Sequence, residues 1–148
     1  RDLSTAGYYI EDYNIFQTTK EEPVMRAMRK QLQASGIPVE NSKGECGRGQ
    51  HELNIAYCDV ADMADRHVIL KNGCKEIAWS KGKAITFLAK WNYDAAGSSS
   101  HIHQSLWSAD GKTCAFADQP MVDAMTEIHN AIFVDGGMTL YPGFEAGG

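Results

Sequence analysis

Apolar and polar positions follow two periods along this chain, and the changes of period mark its elements. From Lys20 to Leu32 the apolar residues fall at Val24, Met25, Met28 and Leu32, the spacing of one helical face. Thr18 or Thr19 can cap this helix, acidic residues occupy its first turn, Pro23 is tolerated there and Gly36 ends it, which predicts one helix over 19–35. The residues before it, with Gly7, Tyr8, Tyr9, Tyr13 and Phe16, show no clean period and predict irregular structure with one short strand or turn. Ile37-Pro38-Val39 restarts the chain as an extended segment. Over His51–Cys58 the period becomes two, with Leu53, Ile55 and Tyr57 on one face and Glu52, Asn54 and Ala56 on the other, a half-buried strand. Three glycines in the six residues from Gly44 to Gly49 predict a tight turn before it, because glycine reaches the positive φ angles that other residues resist.

The helical period returns after Asp59, a capping residue, through Val60, Met63, Ala64, His67, Val68, Lys71, Cys74 and Ala78, and Gly82 stops it. Gly73 in the interior argues against one unbroken helix, and His67 reads as a packed or surface residue rather than a ligand. Ala84–Lys90 is a short β-rich run that predicts a buried strand, with Lys90 where it leaves the core. Trp91–Ala96 is a loop. The small residues Gly97 to Ser100 then feed a second alternating segment, in which His101, His103 and Ser105 share one face while Ile102 and Leu106 point into a core. Asp110-Gly111 signals a hairpin. Asp118 opens a third helix carrying Met121, Val122, Met125, Ile128 and His129. The order of elements is an α+β pattern without internal repeats.

Composition narrows the function classes. The 148 residues amount to one ordinary domain, and 43% hydrophobic and 22% charged residues suit a globular protein. A net charge of −5 without a basic stripe argues against nucleic acid as a partner, and no apolar run approaches the roughly 18 to 20 residues needed to span a membrane. Small molecules or other subunits are the expected partners. Cys46, Cys58, Cys74 and Cys114 form no C-x-x-C pair, so reduced thiols and a cytoplasmic location are expected. The opening Arg1-Asp2-Leu3, with neither initiator Met nor signal peptide, reads as an internal piece of a longer chain.

Candidate chemistry gathers at the glycine-rich turn and at the histidine segment. Glu45 and Glu52 stand at the two mouths of the turn, where antiparallel strands could bring their carboxylates together. Either a cation lies between them or they are solvated glutamates at a hairpin end. His101 and His103 would stand about 6–7 Å apart on one face of a strand, close enough to address one polyanionic ligand or one metal with its ligand.

Taken in order, these landmarks resemble the catalytic domain of the glutamine synthetase family. They are Glu45, Gly49-Gln50 and Glu52 seven residues on; the Thr86-Phe87 strand ending in Lys90; and Gly97 with small residues before His101-x-His103-x-Ser105. The resemblance covers about Arg1 to Asp118. It implies a partial catalytic domain, a mostly antiparallel sheet with flanking helices, ending near residue 130 before an atypical C-terminal tail over 131–148. It further implies that Glu45 and Glu52 hold one divalent cation, Mg or Mn, and that His101 holds a second beside the terminal phosphates of ATP. His103 and Ser105 match positions on the ATP side, Gly97 the place where backbone meets the substrate glutamate, and Gln50 a structural landmark. The activity implied is an ATP-dependent ligase that joins glutamate to ammonia or an amine through γ-glutamyl phosphate, as a homo-oligomer in the full-length protein.

Departures from the family pattern bear on the acceptor. Trp91 follows Lys90 where many members have proline, Ser99 takes a glycine-like position, and Lys43-Gly44 stands where glutamine synthetases proper often carry two histidines. These features resemble the branch that attaches glutamate to polyamines or other amines. The family site also needs glutamates from an upstream strand, a further glutamate and several arginines from the C-terminal third, and a small N-terminal domain contributed across a subunit contact; these find no match here, so the chain is expected to be an incomplete catalytic core, inactive by itself. The stretch Ile132–Pro142 resembles the C-terminal tail of short-chain dehydrogenases of the glucose dehydrogenase type, or matches it by chance. The sequence has no glycine-rich dinucleotide fingerprint and no Tyr-x-x-x-Lys site to go with it. Two further readings stand beside the ligase: a non-catalytic remnant that keeps cation or nucleotide binding, and an interaction module with merely exposed glutamates and histidines.

Overall fold

A computed structural model of the chain describes residues 4–115 and the backbone of 133–142. Its first regular elements are two helices, where the sequence pattern predicted one: α1, Ile15–Lys20, and α2, Glu22–Ala34. Pro23 explains the break at Glu21, since its ring would clash with the carbonyl of Thr19 in a continuous helix and it has no N–H to donate. Pro23 instead occupies the first turn of α2. Asn14 caps α1, accepting from Gln17 N. The Thr18 and Thr19 hydroxyls are not caps; they donate back to the carbonyls of Asn14 and Ile15 at 3.1 and 2.8 Å. Gly36, at φ +81°, ends α2 as expected, with Ile37 N donating to Leu32 O at 2.9 Å.

Strands β1, Val39–Gly44, and β2, Gln50–Ile55, form an antiparallel hairpin across the glycine-rich turn, pairing Gly44 with His51 and Lys43 with Glu52. Helix α3, Val60–Ser80, starts at Asp59, whose carboxylate accepts from Ala61 N at 3.0 Å. It runs unbroken through Gly73, against expectation. A Cβ there would lie 3.3 Å from Leu32 Cδ2, a tight contact, so the glycine eases the packing of α3 against α2. Strands β3, Lys83–Thr86, β4, Ser100–His103, and β5, Phe133–Pro142, join β1 and β2 in an antiparallel sheet that has five strands among the described residues. β5 is its axis: β2 pairs with one edge, while β3 and β4 share the other, at residues 139–142 and 133–136 respectively.

One face of this sheet is covered by helices. Val24, Met25, Met28 and Leu32 of α2 and Met63, Leu70, Cys74 and Ile77 of α3 close over Ile37, Leu53 and Ile55. Truncating a fully buried Met28 to Ala would cost about 2–5 kcal/mol. β3 is shorter and less buried than its sequence suggested. Thr86 Oγ1 accepts from Leu88 N at 3.2 Å, which turns the chain out of the sheet and leaves Leu88 exposed. Ile102 and Leu106 were expected in a core, but they are 64% and 59% exposed. Ile102 does lie on the helix side of the sheet by register, but among the described residues no helix packs on β4. The Asp110-Gly111 turn is present, with Gly111 at φ +69° and Ser108 N donating to Thr113 O. The helix expected from Asp118 lies outside the described residues. Among those residues no helix is long and apolar enough to cross a membrane.

The N-terminal segment meets the hairpin where Glu11 N donates to Glu45 O at 3.3 Å, and there a buried carboxyl faces a buried imidazole. Glu11 Oε2 and His51 Nε2 stand 3.3 Å apart without a well-aligned hydrogen bond, both essentially inaccessible. A Cβ on Gly44 would lie 2.5 Å from Glu11 Cβ, so that glycine makes room for the glutamate. Burial, with the Glu21 charge adding and Lys20 opposing, pushes the Glu11 carboxyl up to about 7. Burial pulls His51 down to about 4, the Lys43 backbone opposing. The folded state therefore favours neutral Glu11, whose contribution is whole below its unfolded value near 4.5 and is lost as pH rises through 7. His51 acts in the opposite sense, whole above 6.5 and lost as pH falls through 4. Glu11→Gln should remove only the first slope. In urea unfolding the variant should gain on the wild type between pH 5 and 8 by up to about 3 kcal/mol. A difference that stays constant with pH would show that Glu11 titrates normally.

Candidate functional site

Antiparallel register carries side-chain direction across the sheet, since directly paired residues point to the same face. Glu45 N donates to Gln50 O at 2.8 Å, continuing the pairing of Lys43 with Glu52 into the turn. Lys43, Glu45, Gln50, Glu52 and Asn54 thus share the face opposite the helices. Asn54 pairs with position 135 of β5, which pairs in turn with His101, so His101 and His103 belong to that face as well. Two strand spacings and two residues of stagger separate Glu52 from His101, about 10 Å across the strands and about 7 Å along them.

Gln50 joins the two sequence motifs. Its Oε1 accepts from Gly47 N at 2.8 Å inside the turn, and its Nε2 donates to Gly97 O at 2.9 Å and Ser98 Oγ at 3.0 Å. The Gly97 loop is also closed on itself: Ser98 N donates to Ala89 O at 2.8 Å, and the Lys90 ammonium donates to Ala95 O. A Cβ on Gly97 would meet Ala89 O at 2.9 Å, a steric reason for glycine independent of any substrate.

The acidic side of this face carries its own cation. Lys43 Nζ lies 2.7 Å from Glu45 Oε1 and 3.3 Å from Asp12 Oδ1, and 5.0 Å from the centre of the Tyr13 ring. The hydrogen bond with Glu45, followed by that with Asp12, holds this ammonium above the usual lysine range. Glu45 Oε2 accepts from Cys46 N at 3.3 Å, and Glu52 Oε1 from Asn54 Nδ2 at 2.9 Å. Asp12, Glu45 and Cys46 bring three possible ligand atoms within 4.8 Å of one another; Glu52 and His101 are outside that group. The Cys46 thiol beside Asp12 is pushed up, away from the thiolate that a soft metal would take. The carboxylates are the better donors, and they suit a hard divalent cation. His101 and His103 are exposed, and Ser105 Oγ accepts from the Trp107 indole at 3.1 Å.

Next to Gly97 opens a cleft of about 680 Å³, walled by Tyr8, Cys46 and Arg48 on one side and Trp91, Asp94 and Ala96 on the other. It has no periodic signature, because its walls come from the aperiodic N-terminal segment, the glycine-rich turn and an irregular loop. In the sequence Lys43 stands out only as a departure from the family pattern. A lysine at 43 with one glutamate two residues along, at 45, and another directly across the hairpin, at 52, is the signal the sequence offers.

With this arrangement in view, the sequence matches the glutamine synthetase catalytic-domain family over residues 5–145. The chain belongs to that family. Its match takes in β5, in the stretch set apart above as an atypical tail. The chain is 40% identical over 84% of its length to a gamma-glutamylethanolamide synthetase of Streptomyces coelicolor, covering 27% of that protein. It is 37% identical over 78% of its length to a glutamate–isopropylamine ligase of a Pseudomonas species, of which it covers 25%. A type-1 glutamine synthetase of Dictyostelium discoideum is 31% identical over 89% of the chain, again covering 25% of the relative. The chain thus spans about a quarter of the length of these members of the glutamine synthetase family.

Replacing Gln50 by Leu removes three hydrogen bonds and leaves the Gly97 carbonyl and the Gly47 amide without this partner. Q50L should lose about 1–3 kcal/mol of stability, and amide exchange should accelerate at Gly47 while α2 and α3 keep their protection. Unchanged exchange at Gly47 would show that the side chain does not hold the turn.

Proposed function

We propose that this chain carries the cation- and nucleotide-facing part of an ATP-dependent ligase that forms a γ-glutamyl amide from glutamate and an amine. The observation that supports it most is the Gln50 bridge, which holds the glutamate-bearing turn and the loop before the histidines together beside one sheet face. Condensing a carboxylate with an amine in water is uphill. Moving the γ-phosphoryl group of ATP onto the glutamate γ-carboxylate turns that oxygen into part of a leaving group. The amine nitrogen then attacks the acyl carbon, the C–O bond to phosphate breaks, phosphate departs and the nitrogen gives up one proton to leave the amide.

Both partners in the first step are anions, and the residues divide accordingly. Glu45 and Glu52 would hold one divalent cation, Mg or Mn, and His101 a second, as neutral imidazole. Such cations, when bound, supply charge neutralisation and in-line orientation. His103 and Ser105 would face the nucleotide. Gln50 sets the position of the Gly97 backbone, against which the substrate glutamate would rest. An acceptor larger than ammonia is favoured by the volume of the cleft beside Gly97 and by the similarity to two ligases named for amine substrates. Cytoplasmic operation fits the four free thiols, and a homo-oligomer is the proposed full-length state.

Manganese titration of the full 148-residue chain, followed by calorimetry with Mg-ATP, tests this assignment. Glu45→Gln and Glu52→Ala should weaken cation binding at least about tenfold with little change in thermal unfolding. His101→Ala should weaken Mg-ATP more than the free cation. An unchanged titration in the glutamate variants would remove them as ligands.

A further inference from the structure

Lys43 occupies an unusual place for a hairpin lysine. Its ammonium touches Glu45 at 2.7 Å and Asp12 at 3.3 Å, and its strand position is directly opposite Glu52. Three formal negative charges therefore surround one formal positive charge. The lysine is attached to the strand that supplies the turn, so it stays at the cluster whatever the solvent contains. The contact is also reversible by construction. The side chain is 37% exposed, its four-carbon stem is flexible, and the same ammonium already lies 5.0 Å from the centre of the Tyr13 ring and 3.3 Å from Asp12, contacts that do not depend on Glu45.

We infer that Lys43 is a resident counter-ion that competes with a divalent cation for Glu45, so that cation binding requires the ammonium to leave that carboxylate. This rests on the proposed role of Glu45 and Glu52 as cation ligands. A hard cation takes carboxylate oxygen at about 2.0–2.6 Å, the same lone pairs that now accept from Nζ. An ammonium and a divalent cation sharing one carboxylate repel each other, so occupancy by one excludes the other. The exchange keeps Glu45 ordered and partly neutralised without the cation, and it sets the cation affinity below what the carboxylates alone would give. The exchange also favours ions of higher charge, since a monovalent ion offers Glu45 nothing that Lys43 does not.

Manganese titrations of the wild type, Lys43→Gln and Lys43→Met test this, with circular dichroism to establish folding and Lys43→Arg as a charge-retaining control. Both neutral variants should bind manganese about tenfold more tightly, a common size for coupling between two binding events, while Lys43→Arg stays within about threefold of wild type. The gap should narrow in concentrated potassium chloride, which weakens the competing ion pair. Folded neutral variants that bind manganese equally or more weakly than a wild type that does bind it would overturn the competition and leave the ligand assignment standing. No manganese binding in either wild type or variants would remove the ligand assignment itself, and this inference with it. If Lys43→Met fails to fold, Lys43→Gln, which keeps hydrogen-bonding capacity toward Asp12, carries the comparison.

Discussion

The turn and the loop that frame the polar face of this sheet are joined by one amide side chain. Gln50 lies inside the protein, at the first position of β2, and spends both ends of its amide on backbone that has no ladder of its own: the Gly47 N–H and the Gly97 carbonyl. Neither segment could be held by burial, because turns and glycine loops have little apolar surface to bury. A buried hydrogen-bonded amide is the alternative, and its cost of desolvation makes it specific: a shifted loop would leave the amide unsatisfied. The position of the histidine strand relative to the glutamate hairpin is thereby fixed from the middle, in addition to the register through β5.

The fold was legible where period and punctuation agreed. The β1–β2 hairpin, the alternation of Leu53 and Ile55 against Glu52 and Asn54, the α3 cap at Asp59 and the Asp110-Gly111 turn all follow from local chemistry. The misreadings have local causes too. The pattern of apolar spacing passes over Pro23 as a tolerated first-turn residue, yet the chain upstream is also helical, so the proline splits a helix instead of starting the only one. Gly73 looked like a weakness in α3 because propensity ignores neighbours; Leu32 across the gap makes it a packing residue. Ile102 alternates correctly and faces the helix side, but burial depends on what lies opposite, and alternation carries no information about that.

The site was legible as two separate motifs and not as a surface. Periodicity placed His101 and His103 on one face of a strand and the glutamates at a turn, but only β5 relates those faces, and β5 lies in a stretch that read as an atypical tail. Gln50 stood out as a letter in a pattern, with no physical role visible, since its partners at 97 and 98 are remote in sequence. The cleft walled by Tyr8, Arg48 and Trp91 has no periodic signature at all. Charge was the most informative clue left unused: a lysine opposite one glutamate and two residues from another predicts an ion-paired cluster on geometry alone.

The axial position of β5 has a consequence for how this sheet comes into being. During synthesis β1 and β2 emerge early and can pair locally, as can α2 and α3 against them. Among the described strands every remaining ladder runs through β5, so β2 keeps one edge open, and β3 and β4 lack the strand they pair with, until residues near 142 leave the ribosome. Long-range pairing of this kind raises contact order and slows the closing step. In the interval the nascent chain presents unpaired strand edges to its neighbours, a known route to association between copies. Pairing with β5 is therefore the step for which the sheet waits, while the core formed by α2, α3 and the hairpin does not.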